Sequence, residues 1–407
     1  MNFDSLWVSL RDVGRDARSG GYRRFAWTAV DLTLREWFTG EAQRRGMSLE
    51  EDRNGNLWAW WLPPGYVDDP RDAFVTGSHL DSVPDGGPFD GPLGIVSAFS
   101  AIDLLRTDGV TPRVPVGVVA FSDEEGARFG VACVGSQLST GALHPERALN
   151  LRDGDGTTLA DALRKAGRRP EHLGADPELA ERVGVYVELH VEQGRALDLV
   201  DRPVAVASAI WPHGRWRFTF CGAANHAGTT RLEDRRDPML TFATAVHDAR
   251  ARAAAHGAVA TFGKMRVTPN GANAIPSRVE AWLDARAADE ETLAALVDAI
   301  TADAAARAHL DHTSVLAEAE SVSPAVLFPD GPRRRIRQAL GAEFGDVPVL
   351  PTAAGHDAGV LSTAVPTAML FVRNPTGISH SPEEYAEIAD CHQGARALAA
   401  VMKDWVA

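Results

Sequence analysis

Short, nearly unbroken apolar runs recur along the chain, separated by longer stretches where apolar and charged positions mix at helical spacing. The runs are Leu57–Trp61, Ala73–Thr76, Val114–Phe121, Val183–Leu189 and Thr367–Val372. Strands without polar alternation suit a sheet covered by helices, because neither of its faces meets water. Asn54-Gly55-Asn56 supplies a turn ahead of the first run. Residues 24–47 carry Phe25, Trp27, Val30, Leu32, Leu34 and Trp37 among charged positions and predict a helix.

The stretch from about Arg215 to Val322 has a different rhythm. Trp216, Phe218 and Phe220 alternate with polar residues, the mark of a strand with one buried face. Asp237-Pro238 is a helix opening, and an Ala-rich helix runs from there to about His256, closed by Gly257. Strands are predicted near Val259–Val267 and Arg278–Arg286, a helix near Glu290–Leu310, and a last strand at Thr313–Glu320. The order β-α-β-β-α-β is that of a ferredoxin-like α+β unit. A chain of 407 residues also exceeds what one core usually supports. The expected fold is therefore α/β: a large domain with a mixed, mostly parallel sheet flanked by helices, residues 1–210 and 323–407, into which a smaller domain, residues 211–322, is inserted.

Chemistry collects where the apolar runs end. Ala73–Thr76 leads into Gly77-Ser78-His79-Leu80-Asp81, and Val114–Phe121 into Ser122-Asp123-Glu124-Glu125-Gly126. Val183–Leu189 ends at His190, and Thr367–Val372 leads through a glycine-containing loop to Ser379-His380-Ser381. Ligands of open α/β sheets gather outside the carboxyl ends of strands. Asp90, in Gly87-Pro88-Phe89-Asp90-Gly91, joins them from the loop after the first strand. Imidazole and carboxylate donors suit zinc and its first-row neighbours, and one carboxylate can bridge two ions. Asp81, two residues beyond His79, is placed to hold that ring's second nitrogen. The adjacent Glu124 and Glu125 suggest a division of labour, one binding metal and the other taking a proton from water. Taken singly, a histidine after a strand is more often a packed residue and a Glu-Glu pair a solvated helix start. Their joint placement at four strand ends is what points to a two-metal hydrolase.

The segments GSHLDSVPDGGPFDGPLG, FSDEEGARFG, ELHVEQG, ANHAGTT, RRDP, AGHDA and GISHSPEE, in this order over nearly the whole chain, resemble the carbamoyl-amino-acid hydrolase and allantoate amidohydrolase family. The resemblance implies that His79, Asp90 and His190 hold one divalent ion, and that Asp90, Glu125 and His380 hold the other. Zinc is the first expectation; manganese, cobalt and nickel accept the same ligands. Glu124 is then the general base. His226, in the smaller domain, is expected to reach the partner subunit's site and stabilise an oxyanion, which implies a homodimer with shared active sites. Asn273 and Arg286 match positions that grip a substrate carboxylate, for which the guanidinium fork is suited. The loop of His356 is expected to support the site rather than bind metal. His213 stands where relatives usually carry a substrate-contacting glutamine, a departure that bears on the substrate alone. The activity implied is cleavage of a carbamoyl C–N bond in a small carboxylate-bearing ureide or amide. An N-carbamoyl-L-amino acid is the first choice and allantoate or ureidoglycolate the second. A dipeptidase or aminoacylase on the same scaffold is disfavoured by EEGARFG. A non-catalytic binding relative would lack a ligand or the base, and neither is missing.

Charge and cysteine content narrow the remaining classes. Acidic residues outnumber basic ones, 55 to 41, for a formal charge of -14, which argues against a nucleic-acid surface. No run approaches the roughly 18 apolar residues that span a membrane. The 3 cysteines are scattered, and Met1–Arg24 has no apolar signal core, so the expectation is a cytoplasmic protein without disulfides.

Overall fold

The computed structural model describes residues 3–67 and 70–407. The chain divides into two compact units: one runs to Ser208 and resumes at Phe328–Ala407, and the other is Ala209–Leu327.

In the larger unit the strands lie in the order Ser48–Glu51, Leu57–Trp61, Val116–Phe121, Ala73–His79, Val183–Val191, Thr367–Val372 and Val204–Ile210. The central members, Val116–Phe121 to Thr367–Val372, are parallel to one another, and antiparallel strands flank them on both sides. Helices Phe3–Leu10, Ala29–Arg44, Pro92–Thr107, Asp330–Phe344 and Ile388–Val406 contribute to one apolar core against the sheet. Strand Val183–Val191 shows how this sheet serves two masters. Val185, Val187, Leu189 and Val191 enter that core, so the pleat turns Tyr186, Glu188 and His190 to the opposite face. All of these are buried, so Glu188 and His190, which alternate with Val187, Leu189 and Val191, do not mark a solvent face.

Two glycines fix the geometry around the site. Gly77 is paired with Val119 in the parallel ladder, and a Cβ at position 77 would stand 1.9 Å from the Val119 carbonyl oxygen. Gly91 begins helix Pro92–Thr107 at φ 84°, and a Cβ there would lie 2.5 Å from the His79 ring. Only hydrogen in place of a side chain allows both approaches.

The predicted helix over 24–47 is shorter in the structure. It begins at Ala29 because the Thr28 hydroxyl accepts from Asp31 N–H at 3.4 Å while the Asp31 carboxylate accepts from Trp27 N–H at 2.9 Å. Arg24 is drawn inward instead, donating to the carbonyls of Val13 and Leu10. Helix Phe3–Leu10, about two turns long, buries Phe3, Leu6 and Leu10; the sequence reading did not anticipate it.

The smaller unit has the element order β-α-β-β-α-β. Its strands stand in the order Ser314–Ser323, His213–Cys221, Arg278–Arg286, Val259–Thr268, all antiparallel. Helices Pro238–Ala255 and Glu290–Leu310 start at Asp237 and Asp289, whose carboxylates accept from Met239 N–H at 2.9 Å and Thr292 N–H at 2.7 Å. Phe218, Phe220, Phe242, Leu283, Leu296 and Ile300 form its core. Among the described residues, no helix is long and apolar enough to cross a membrane.

Candidate metal centre

His79 and His190 end two adjacent parallel strands and are 1% exposed. Each ring has its Nδ1 against a main-chain carbonyl, Asp81 O at 3.1 Å for His79 and Val191 O at 2.9 Å for His190. A carbonyl can only accept, so Nδ1 of each ring carries a proton and Nε2 is the ring atom left to meet a ligand. Both Nε2 atoms face Asp90 Oδ1, at 3.5 Å and 3.1 Å.

The other oxygen of Asp90 faces elsewhere. Oδ2 lies 3.4 Å from His380 Nε2 and accepts from Gln193 Nε2 at 2.6 Å. His380 in turn lies 3.6 Å from Glu125 Oε2. Glu384 fixes the Asp90 loop, one carboxylate oxygen accepting from the N–H groups of Phe89 at 2.8 Å and Asp90 at 3.0 Å. The donor atoms thus fall into two sets sharing Asp90: His79, Asp90 and His190, and Asp90, Glu125 and His380, each within 4.8 Å of one another. A further grouping, His79 with Glu124 and Glu125, meets the same limit.

The fit to metal ions can be tested on the atoms themselves. His190 Nε2 and Glu125 Oε1 are buried with no hydrogen-bond partner among the described residues, a cost that a cation would remove. Burial pushes the Glu125 carboxyl up to about 7, with the Asp90 charge adding to it. Burial also drives Glu124 well above the usual carboxylate range, against the pull of His79. For Asp90 burial acts upward, but His190, His380 and His79 together hold its carboxyl well below the ordinary value. For His380 the Asp90 hydrogen bond dominates and raises the ring to about 9. Protons and imidazolium charges here occupy the place that divalent cations fill in a centre of mixed nitrogen and oxygen donors. The residues fit such ions.

Asp81 departs in detail from the expected role. Its carbonyl is the nearer partner of His79, the carboxylate standing at 3.5 Å. The carboxylate instead accepts from the N–H groups of Glu124 at 3.2 Å and Glu125 at 3.0 Å, locking the turn that aims both glutamates. His356 packs its ring 4.4 Å from that of His190, and its buried Nε2 has no partner among the described residues. Burial, then His190, lowers its pKa well below the ordinary value, so the ring is neutral. It groups with Glu188 and His190, but the Glu188 oxygens already accept from Ser78 Oγ and Ala358 N–H, each at 2.9 Å. This grouping therefore has fewer free donors than the sets around Asp90.

The other expected site residues lie in the smaller unit, in two pairs. His213 and Arg286 stand opposite each other on neighbouring strands. Burial lowers the His213 pKa although its Nδ1 meets Trp211 O at 3.2 Å. Arg286 donates to Asp284 at 2.8 Å. His226 pairs with Ala274 in a two-residue ribbon, next to Asn273, whose carbonyl accepts from Ala227 N–H at 2.9 Å. His226 Nδ1 accepts from Gly228 N–H at 3.0 Å, so the ring hydrogen lies on Nε2, which can donate.

Sequence reasoning assigned no role to Glu384, Gln193 or Glu188. Each sits within a few residues of a named ligand, but a carboxylate or amide that serves backbone and neighbouring side chains carries no sequence mark of that task.

Comparisons with known proteins place the chain in a family. The profile of Peptidase family M20/M25/M40 matches residues 75–404. N-carbamoyl-L-amino acid amidohydrolase of Geobacillus stearothermophilus is 36% identical over 402 residues, 97% of this chain and 96% of that protein. Allantoate amidohydrolase of Escherichia coli is 30% identical over 406 residues, covering 97% and 95%. The crystal structure of an amidase of the hydantoinase/carbamoylase family from Burkholderia multivorans superposes with a TM-score of 0.86 at 30% identity, covering 98% of this chain and 97% of that one. A match spanning most of the chain, with full-length relatives on both sides, leaves one assignment: the chain belongs to peptidase family M20/M25/M40, among its amidohydrolase members.

Proposed function

We propose that this chain is a dinuclear metal-dependent amidohydrolase that cleaves the carbamoyl C–N bond of an N-carbamoyl-L-amino acid. The observation that carries the reading is Asp90, one oxygen turned to His79 and His190 and the other to His380. His79, Asp90 and His190 would hold one ion, and Asp90, Glu125 and His380 the other. When bound, a pair of divalent ions supplies Lewis acidity, lowering the pKa of a water and polarising a carbonyl. Zinc is the first choice for a site of histidines and carboxylates.

Glu124 takes the proton of the attacking water and hands it to the departing nitrogen. His226 of the partner subunit donates from Nε2 to the developing oxyanion, an effect of roughly 3 kcal/mol for a well-aimed donor. Asn273 and Arg286 bind the substrate carboxylate, and His213 contacts the same end of the substrate. The smaller unit acts as lid and dimerisation domain, excluding water when it closes. One water is consumed, and the products are the amino acid, carbon dioxide and ammonia. The 3 cysteines are free, which supports a reducing cytoplasmic setting.

Allantoate is the second reading, supported by the 30% identity to the Escherichia coli enzyme. Ammonia release from metal-loaded protein decides between them, using N-carbamoyl-L-amino acids, allantoate, ureidoglycolate and β-ureidopropionate. The highest kcat/KM is expected on a carbamoyl amino acid. A clear preference for allantoate would replace the first reading with the second, and no release from any of them would remove both.

A further inference from the structure

Glu124 has a contact that metal binding does not require. The Cys133 thiol donates to Glu124 Oε1 at 3.3 Å, and both side chains are buried, each residue 6% exposed. Oε2 of the same carboxylate is left facing His79 Nε2 at 3.8 Å. Backbone bonds fix the two residues relative to each other: Cys133 N–H donates to Glu124 O at 2.6 Å, Val134 N–H to Asp123 O at 3.0 Å and Gly135 N–H to Ser122 O at 2.9 Å. Cys133 adopts φ 53°, ψ 38° at the start of helix Val134–Thr140, a left-handed conformation that costs any residue with a Cβ and suits glycine. The position carries a thiol although glycine would be less strained there.

A glutamate ends in rotatable bonds, and a base that must meet one water needs its carboxylate fixed at a second point. We propose that Cys133 is a positioning residue: its S–H holds Oε1 of Glu124 and leaves Oε2 directed at the attacking water. The proposal rests on the reading of Glu124 as the proton acceptor. Burial and the neighbouring Glu124 push the thiol well above its ordinary pKa, which keeps the hydrogen on sulfur. Packing alone is the ordinary duty of a buried cysteine, and the two roles part on substitution by serine, which is smaller and more polar but still donates.

The test uses metal-loaded enzyme and the variants Cys133→Ala, Cys133→Gly and Cys133→Ser, with kcat, KM, metal content and melting temperature measured for each. Alanine and glycine should lower kcat about 5-fold, the effect of one lost hydrogen bond, at unchanged KM and metal content. Serine should restore kcat to within about two-fold of the parent, and Cys133→Ala should have no further effect in a Glu124→Gln background. Parental kcat in the alanine variant, or serine as slow as alanine, would overturn the proposal. So would failure of both the alanine and glycine variants to fold, since the thiol would then be needed for packing. Retention of activity by Glu124→Gln alone would instead remove the base assignment on which the proposal stands, and the two failures are thereby told apart.

Discussion

Glu124 and Glu125 are neighbours in the chain, and their N–H groups are taken by the two oxygens of one carboxylate, Asp81. Their side chains share a grouping with His79 but contact different histidines. Glu124 Oε2 approaches His79 Nε2 at 3.8 Å, whereas Glu125 Oε2 approaches His380 Nε2 at 3.6 Å. The same turn thus presents one carboxylate to each side of Asp90, which allows one to bind metal and the other to carry a proton. Glu124→Gln keeps the volume and removes the basicity. Its kcat should fall by about 10²–10⁴-fold, while metal analysis finds the parental content. Turnover near the parental rate would strip Glu124 of the role of base.

At the scale of elements, the site depends on parallel strands ending side by side. His79 and His190 meet because Ala73–His79 and Val183–Val191 are paired directly, and Glu124 and Glu125 follow the strand on the other side of Ala73–His79. The close approach at Gly77 is part of this arrangement. Gly77→Ala should force the ladder open against Val119 and cost about 3 kcal/mol or more, read as a lower melting temperature. An unchanged melting temperature would show that the strand shifts freely. Helix Pro238–Ala255 announced itself by its cap at Asp237, whereas the cap of Glu290–Leu310 at Asp289 shows only in the structure. The two turns of Phe3–Leu10 did not announce themselves, because a helix that short draws its stability from the core it covers and not from its own sequence.

At the scale of the molecule, the proposed metal ions and protons would compete for one buried set of charges. In metal-free protein the Glu125 carboxyl is raised from 4.5 to about 7, and the His380 ring from 6.5 to about 9. A raised folded-state pKa means that the native state binds more protons than the unfolded chain between the two values. The stability it contributes is full below the unfolded pKa and lost as pH rises through the folded one. Chelated protein should therefore lose melting temperature from about pH 4.5 to pH 7 through Glu125, and on to about pH 9 through His380. Metal-loaded protein should instead gain stability up to about pH 6.5, the unfolded histidine value, and change little above it, since bound cations hold the same groups deprotonated. Equal pH profiles with and without metal would count against ligation by these residues. The proposed sharing of sites between subunits has its own test: mixed dimers of inactive His226→Ala and inactive Glu124→Gln subunits should regain activity, and silence in the mixture would confine each site to one chain.

Candidate residues of the centre could be named from the sequence because strand ends in α/β sheets are places where side chains leave the core, and His79, Asp90, the Glu124-Glu125 pair, His190 and His380 stand at or shortly after them. The choice of Glu125 as ligand and Glu124 as base came from the family resemblance. Their type, spacing and order are local properties. What folding alone decided was direction: which oxygen of Asp90 meets which histidine, that Asp81 locks backbone while its carbonyl orients His79, and that Glu384, Gln193 and Cys133 hold parts of the centre in place. Those contacts join residues as far apart as Asp90 and Glu384. A side chain's partner across such a distance depends on the packing of the whole sheet, and short-range spacing carries no record of it.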